Sequence, residues 1–226
     1  MNRDGGHRSE SSGPRSSREP ALLLFATLVL LGLSGIGPHD RFTWWLEVAP
    51  VMIGIPVLIA TYRRFPLTRL LYRLLFLHAL VLMLGGHYTY ARVPLGFWAQ
   101  ELFGFARNHY DRLGHFAQGF VPAILARELL RRKTPLEPGG WLSFLATCVC
   151  LAFSAFYELI EWWTAAASGT AAEAFLGTQG DVWDTQWDMF LALIGAITAQ
   201  LLLARRHDKE LSRLAMTGRR SVPKSA

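Results

Sequence analysis

Between Ala21 and Arg205 the apolar residues gather into runs of about 18 to 23, separated by short polar breaks. No other feature limits the fold so strongly. A helix of roughly 20 residues, rising 1.5 Å per residue, crosses the ~30 Å hydrocarbon core of a bilayer. The runs fall at residues 21–37, 44–62, 68–90, 111–132, 141–163 and 185–204. They are too long for strands and lack period-two alternation. The expected fold is all-α: a polytopic membrane protein with six transmembrane helices in one bundle.

Charge sets the orientation. The chain carries a net +6, which by itself would suit a nucleic-acid partner. Its placement says otherwise. With the N-terminus inside, the inner segments hold Arg3, Arg8, Arg15 and Arg18; Arg63, Arg64, Arg69 and Arg73; Arg127, Arg131, Arg132 and Lys133; and the basic residues from Arg205 to Lys224. The outer segments hold only Arg41, Arg92, Arg107 and Arg112. That is the positive-inside bias at every loop. It implies that both termini are cytoplasmic and that no nucleic acid is bound.

Three segments are expected along the chain. Residues 1–20 form a polar, disordered cytoplasmic segment, residues 21–205 the membrane domain, and residues 206–226 a basic cytoplasmic tail. The first apolar run could instead be a cleaved signal, since GLSGIG offers small residues. Trp44, Trp45, Trp98, Trp162, Trp163, Trp183 and Trp187 fall near the outer interface, and only Trp141 near the inner one. Residues 91–110 suit a short interfacial helix, and the Ala- and Gly-rich loop 164–183 suits a mobile cover. Pro122 removes the helical partner of the Gln118 carbonyl and is expected to kink the fourth span. Cys148 and Cys150 point in different directions on one helix, which makes a disulfide between them implausible and suits packing instead. His78 reads as a hydrogen-bonded core histidine.

The polar groups of four spans converge on the outer leaflet. The third span ends with His87, Tyr88, Tyr90 and Arg92. The fourth begins with Asp111, His115 and Gln118, whose spacing puts them on one helix face. The fifth ends with Glu158 and Glu161, and the sixth begins with Asp181, Asp184 and Asp188. The stripe continues through Ala192, Gly195 and Ala199, which lets another helix approach closely. A carboxylate at mid-depth costs roughly 2–3 kcal/mol on insertion scales, and less near the interface. The acids outnumber Arg92, Arg107 and Arg112, so the surplus charge needs protons, a cation or water. Glu47 is a further acid whose depth the sequence leaves open.

Three roles compete for this cluster. It could be a network of ion pairs that sets helix register. It could be an enzyme site, with or without a divalent metal, because histidine and carboxylates are the ligand types zinc and similar ions prefer. It could be a proton or small-solute transport path, against which the inner halves of the spans carry almost no ionisable group apart from His78. No HEXXH, phosphate-cradling loop or Cys-rich zinc pattern is present. In the enzyme case Asp111, His115, Glu158 and Asp188 form the reacting core. His115, Glu158, Glu161 and Asp188 are the candidate metal ligands. His87, Tyr88, Arg92, Arg112, Gln118 and Asp184 are the candidate substrate contacts.

The runs HYDRLGHFAQGFVPA, FYELIEWWTA and FLGTQGDVWDTQWDMFLALIGA, with GGHYTYA upstream, together resemble the YjdF-type family of bacterial inner-membrane proteins over about residues 40–205. A smaller set of positions is similar to VanZ-like proteins. Asp111, Arg112 and His115 match an Asp-Lys-x-x-x-His element with Arg for Lys. Glu158 matches the Glu of a Glu-x-x-Gln element, with Glu161 in place of Gln, and Asp184 begins an Asp-x-x-x-Asn element in which Asp188 replaces Asn. The resemblance implies a multi-pass protein of the bacterial inner membrane in a cell-envelope setting. The expected substrate of an enzyme there is a membrane lipid or lipid-linked molecule at the outer leaflet.

Overall fold

The computed structural model describes residues 18–168 and 178–220. Among them are α1 (Glu19–Ser34), α2 (Arg41–Thr61), α3 (Arg69–Tyr88), a 3₁₀ turn at Tyr90–Arg92, α4 (Pro94–Phe103), α5 (Tyr110–Lys133), α6 (Gly140–Ser168) and α7 (Asp184–Arg220). No strand occurs among the described residues, as the run lengths require. Most of the expected disordered segment, the middle of loop 164–183 and the end of the tail lie outside the described residues.

Four helices, α2, α3, α6 and α7, are long and apolar enough to cross a membrane. They are apolar on their outward faces as well as inside. Ile53, Val57 and Ile59 of α2 and Phe144, Phe153 and Phe156 of α6 are all exposed. A surface of that kind needs a lipid solvent. The other two expected spans differ from these four. The 16 residues of α1 make it short for a full crossing. The 24-residue α5 is long enough but carries Asp111, Arg112, Arg127, Glu128, Arg131, Arg132 and Lys133.

The position of α5 explains how it tolerates those charges. It packs against α3, α6 and α7, while α1 and α2 pack against α3. Contact with α7 is intimate because both helices are stripped of side chains where they cross. A Cβ on Gly119 would lie 1.8 Å from the Ala192 carbonyl oxygen, and one on Gly195 would lie 2.1 Å from that of Phe116. Ala192, Ala196 and Ala199 are fully buried. The small-residue stripe of the sixth span therefore seats α5. Beside it lies an apolar core of Leu70, Leu71, Leu74, Val121, Ile124 and Cys150. Pro122 sits inside a continuous α5, as Pro50 and Pro56 do inside α2.

Helix starts follow from local chemistry. Asp40 accepts a 2.7 Å hydrogen bond from the Thr43 amide and caps α2. Thr68 caps α3, and Pro94 opens α4 within the stretch expected to form a short helix. The helix of the sixth apolar run does not stop at its apolar boundary. It continues to Arg220, through residues expected to belong to a tail, because His207 and Leu211 are buried against the bundle. Cys148 and Cys150 are both free thiols. The Nε2 of His78 has no hydrogen-bond partner, so the core hydrogen bond expected of that residue is absent at this atom.

Candidate functional site

The first turns of α5, the last turns of α6 and the first turns of α7 meet at one end of the bundle. Asp111 and His115 stand one turn apart on α5. His115 is only 5% exposed, and its two ring nitrogens face different acids. Nε2 lies 3.5 Å from Asp111 Oδ1 and 3.9 Å from Asp188 Oδ2. Nδ1 lies 3.8 Å from Glu158 Oε1. The four residues expected to form a reacting core thus converge on a single imidazole. These separations suit ion pairing but exceed hydrogen-bond length. His115 Nδ1, Glu158 Oε1 and Asp188 Oδ1 are buried with no hydrogen-bond partner.

The residues grouped closely enough to hold one ion differ from the set expected from sequence. Ligand atoms of Asp111, His115 and Asp188 lie within 4.8 Å of one another. Glu158 faces the other edge of the imidazole, so it cannot share an ion bound at Nε2 in this arrangement. Glu161, one turn beyond Glu158 and half-buried, is outside that group. The i, i+3 spacing shows only that two carboxylates share a helix face, and the facing helices decide which of them reaches the histidine.

The arginines are engaged elsewhere. Arg107 Nη2 donates to Asp184 Oδ1 at 2.5 Å, and Arg112 Nη2 donates to Asp181 Oδ2 at 2.9 Å. Arg112 also lies over the Trp187 ring, 5.1 Å from its centroid. These pairs fasten the start of α7 to the start of α5, a short distance above the histidine. Burial, together with Arg112 and Arg107, holds the neighbouring His109 below the usual histidine range. Gln118 is half-buried one turn beyond His115 on the same helix.

The third-span residues are directed elsewhere. His87 Nδ1 lies 2.9 Å from the Ser34 carbonyl, and its ring packs edge-on against Tyr88. His87 thereby ties α3 to α1. Arg92 is exposed on the 3₁₀ turn. Among the described residues, none of His87, Tyr88 and Arg92 pairs or hydrogen-bonds with the His115 cluster.

Other groups take the place of those three. Glu47 of α2 is buried and accepts a 3.3 Å hydrogen bond from the Tyr157 hydroxyl. The Tyr157 ring lies 6.5 Å from that of His115. The Tyr90 ring occupies a slot between Gly85 and Gly114, where added Cβ atoms would come within 2.2 and 2.7 Å of it. Thr89 turns the chain into that slot with a φ of 61°. Asn108 anchors the entry to α5 by donating to the Val93 carbonyl at 3.0 Å and accepting from the Tyr110 amide at 3.0 Å.

A second polar cluster lies at the opposite end of the bundle. Glu128 and His207 are both fully buried, with His207 Nε2 3.0 Å from Glu128 Oε2. Glu128 also accepts from Thr68 Oγ1 and from Arg132 Nη1, each at 2.8 Å. Arg127 pairs with Asp208 at 2.9 Å, and Glu210 accepts from the Leu70 amide at 2.9 Å. Reading residues 206 onward as a tail hides this cluster. The one available clue is Glu128, an acid among four nearby basic residues, Arg127, Arg131, Arg132 and Lys133.

An all-helical bundle with apolar outward faces and a buried polar cluster near one end defines a multi-pass membrane protein. The chain belongs to the family described as Predicted membrane protein (DUF2238), whose profile matches residues 20–209. It is 56% identical over 193 residues to the inner membrane protein YjdF of Escherichia coli (strain K12), covering 85% of this chain and 92% of that protein. No solved structure matches. The protein is an inner-membrane protein, and the YjdF resemblance seen in its motifs holds across most of its length.

Proposed function

We propose that the protein is an envelope enzyme whose site is the His115 cluster, acting on a lipid or lipid-linked substrate at the outer leaflet. One observation carries this. Arg107 and Arg112 are committed to Asp181 and Asp184, so among the described residues His115 is left between Asp111, Glu158 and Asp188 with no arginine or lysine paired to those three acids. A register-setting network would place its cations against its most buried acids, because an uncompensated buried charge costs several kcal/mol. An imidazole between opposed carboxylates can instead take up and deliver a proton, with Glu158 on one edge and Asp111 and Asp188 on the other.

The topology proposed with it has six spans and both termini in the cytoplasm. Enclosure of α5 by three helices supports counting it as a span despite its charges, and the basic residues at the Glu128 end support a cytoplasmic face there. The Glu128–His207 cluster does supply ionisable groups at the inner end, as a transport path would require. Val121, Ile124, Ala196 and Ala199 form a buried apolar layer between the two clusters, which favours chemistry at one face over passage.

The test compares envelope lipids and lipid-linked precursors in bacteria lacking the protein and supplied with wild type, His115→Gln or Glu158→Gln. Wild type should change the profile. The two variants, shown to be folded by thermal unfolding in detergent, should leave it as in the deficient strain. Folded variants that act like wild type would sink the proposal.

A further inference from the structure

We infer that Asp111, His115 and Asp188 bind one divalent transition-metal ion, with His115 ligating through Nε2 and Glu158 accepting a hydrogen bond from its Nδ1–H. The two edges of His115 have different surroundings, and the difference is the one a metal-ligating histidine shows. Such a histidine usually donates its other ring N–H to a carboxylate, which fixes the tautomer and raises ligand basicity. Glu158 Oε1 stands at that edge, 3.8 Å from Nδ1. At the opposite edge two carboxylates on different helices approach Nε2, at 3.5 and 3.9 Å.

The spacing is close to that of a coordination sphere. Three donors bound to one ion at 2.0–2.2 Å in tetrahedral geometry lie about 3.4 Å apart. The three donors here lie within 4.8 Å of one another, so modest side-chain rotation brings them onto an ion. An independent observation points to a missing ligand. Asp188 is 3% exposed, yet its Oδ1 has no hydrogen-bond partner. Buried carboxylate oxygens are normally satisfied, and an ion held by both oxygens of Asp188, whose Oδ2 faces Nε2, would satisfy this one.

The donor set also selects the ion class. One imidazole with carboxylate oxygens suits zinc or manganese. Calcium takes six to eight oxygen ligands, more than this group offers. Three protein ligands leave a coordination position open, as in catalytic rather than closed structural sites. That last role rests on the enzyme proposal; binding of the ion does not.

The experiment uses the full chain in detergent, stripped with chelator and titrated with Zn²⁺, with metal counted after dialysis. Wild type should retain one equivalent. Asp188→Asn and His115→Gln should lose it, and Glu158→Gln should bind 10–100-fold more weakly, the usual effect of an outer-shell partner. His207→Gln, at the other end, should bind like wild type. X-ray absorption of zinc-loaded wild type, which needs no variant to fold, should show one imidazole and oxygen donors. Wild type without stoichiometric zinc, equal binding by all variants, or an absorption spectrum lacking imidazole would each overturn the inference. The lipid-profile test would then still decide whether the cluster is a metal-free acid–base site.

Discussion

Gly119 of α5 lies against the main chain of Ala192 of α7, so close that a Cβ would come 1.8 Å from the Ala192 carbonyl oxygen. Backbone cannot retreat as a flexible side chain can. Gly119→Ala should therefore force the two helices apart. It should lower stability by at least the 1–3 kcal/mol typical of overpacking, read as a fall in Tm in detergent. Gly54→Ala, which meets no atom within 4 Å, is the control and should be neutral or better. Equal Tm values for the two variants would show that the crossing is looser than described.

Tyr90 offers a second steric test. Its ring fills the slot between Gly85 and Gly114. Gly85→Ala should destabilise by roughly 1–3 kcal/mol. Combined with Tyr90→Ala, which empties the slot, the glycine substitution should cost much less. A double-mutant cycle with additive effects would contradict the packing.

At the other end, Glu128 should matter to folding and not to chemistry. Glu128→Ala leaves His207, Arg132 and the Thr68 amide without their shared acceptor. Removing one partner of such a buried network costs about 3–5 kcal/mol. Glu128→Gln keeps an acceptor and should cost less. Chemical unfolding of the two variants against wild type measures the difference.

Asp40 gives a pH dependence. The Thr43 amide at the α2 N-terminus holds its carboxyl below the usual carboxylate range. A lowered folded pKa means the stabilisation is present above the unfolded value, about 3.9, and is lost as pH falls through the folded one. Asp40→Ala should cost about 1 kcal/mol at pH 7. The gap from wild type should close as the pH is brought below 4, in paired unfolding curves.

The sequence shows the helices plainly, because apolar run length is a local property. It also places Asp111, His115, Glu158 and Asp188 at one level, since helix direction and depth follow from loop charge. The identity of the third close donor was not legible. Asp111 meets His115 from one turn away on α5 itself, and Asp188 reaches the same edge because the close crossing at Gly119 and Gly195 brings α7 onto α5. The diversion of His87 to Ser34 was hidden for the same reason: an imidazole near the interface looks equally available to every neighbour. The Glu128 cluster was missed because polar residues past an apolar run suggest solvent. His207 is instead fully buried beside Glu128 of α5.

Asp188 and His207 are carried by one uninterrupted helix, about 28 Å apart along its axis at 1.5 Å per residue. That interval nearly equals the ~30 Å thickness of a bilayer's hydrocarbon core. Under the proposed topology the two polar clusters stand as graduations on a gauge, one near each face of the membrane. A bilayer that is too thick or too thin must tilt the gauge or deform around it. Under that topology lipid thickness should bear on the geometry around His115, which reconstitution in lipids of graded chain length would read directly.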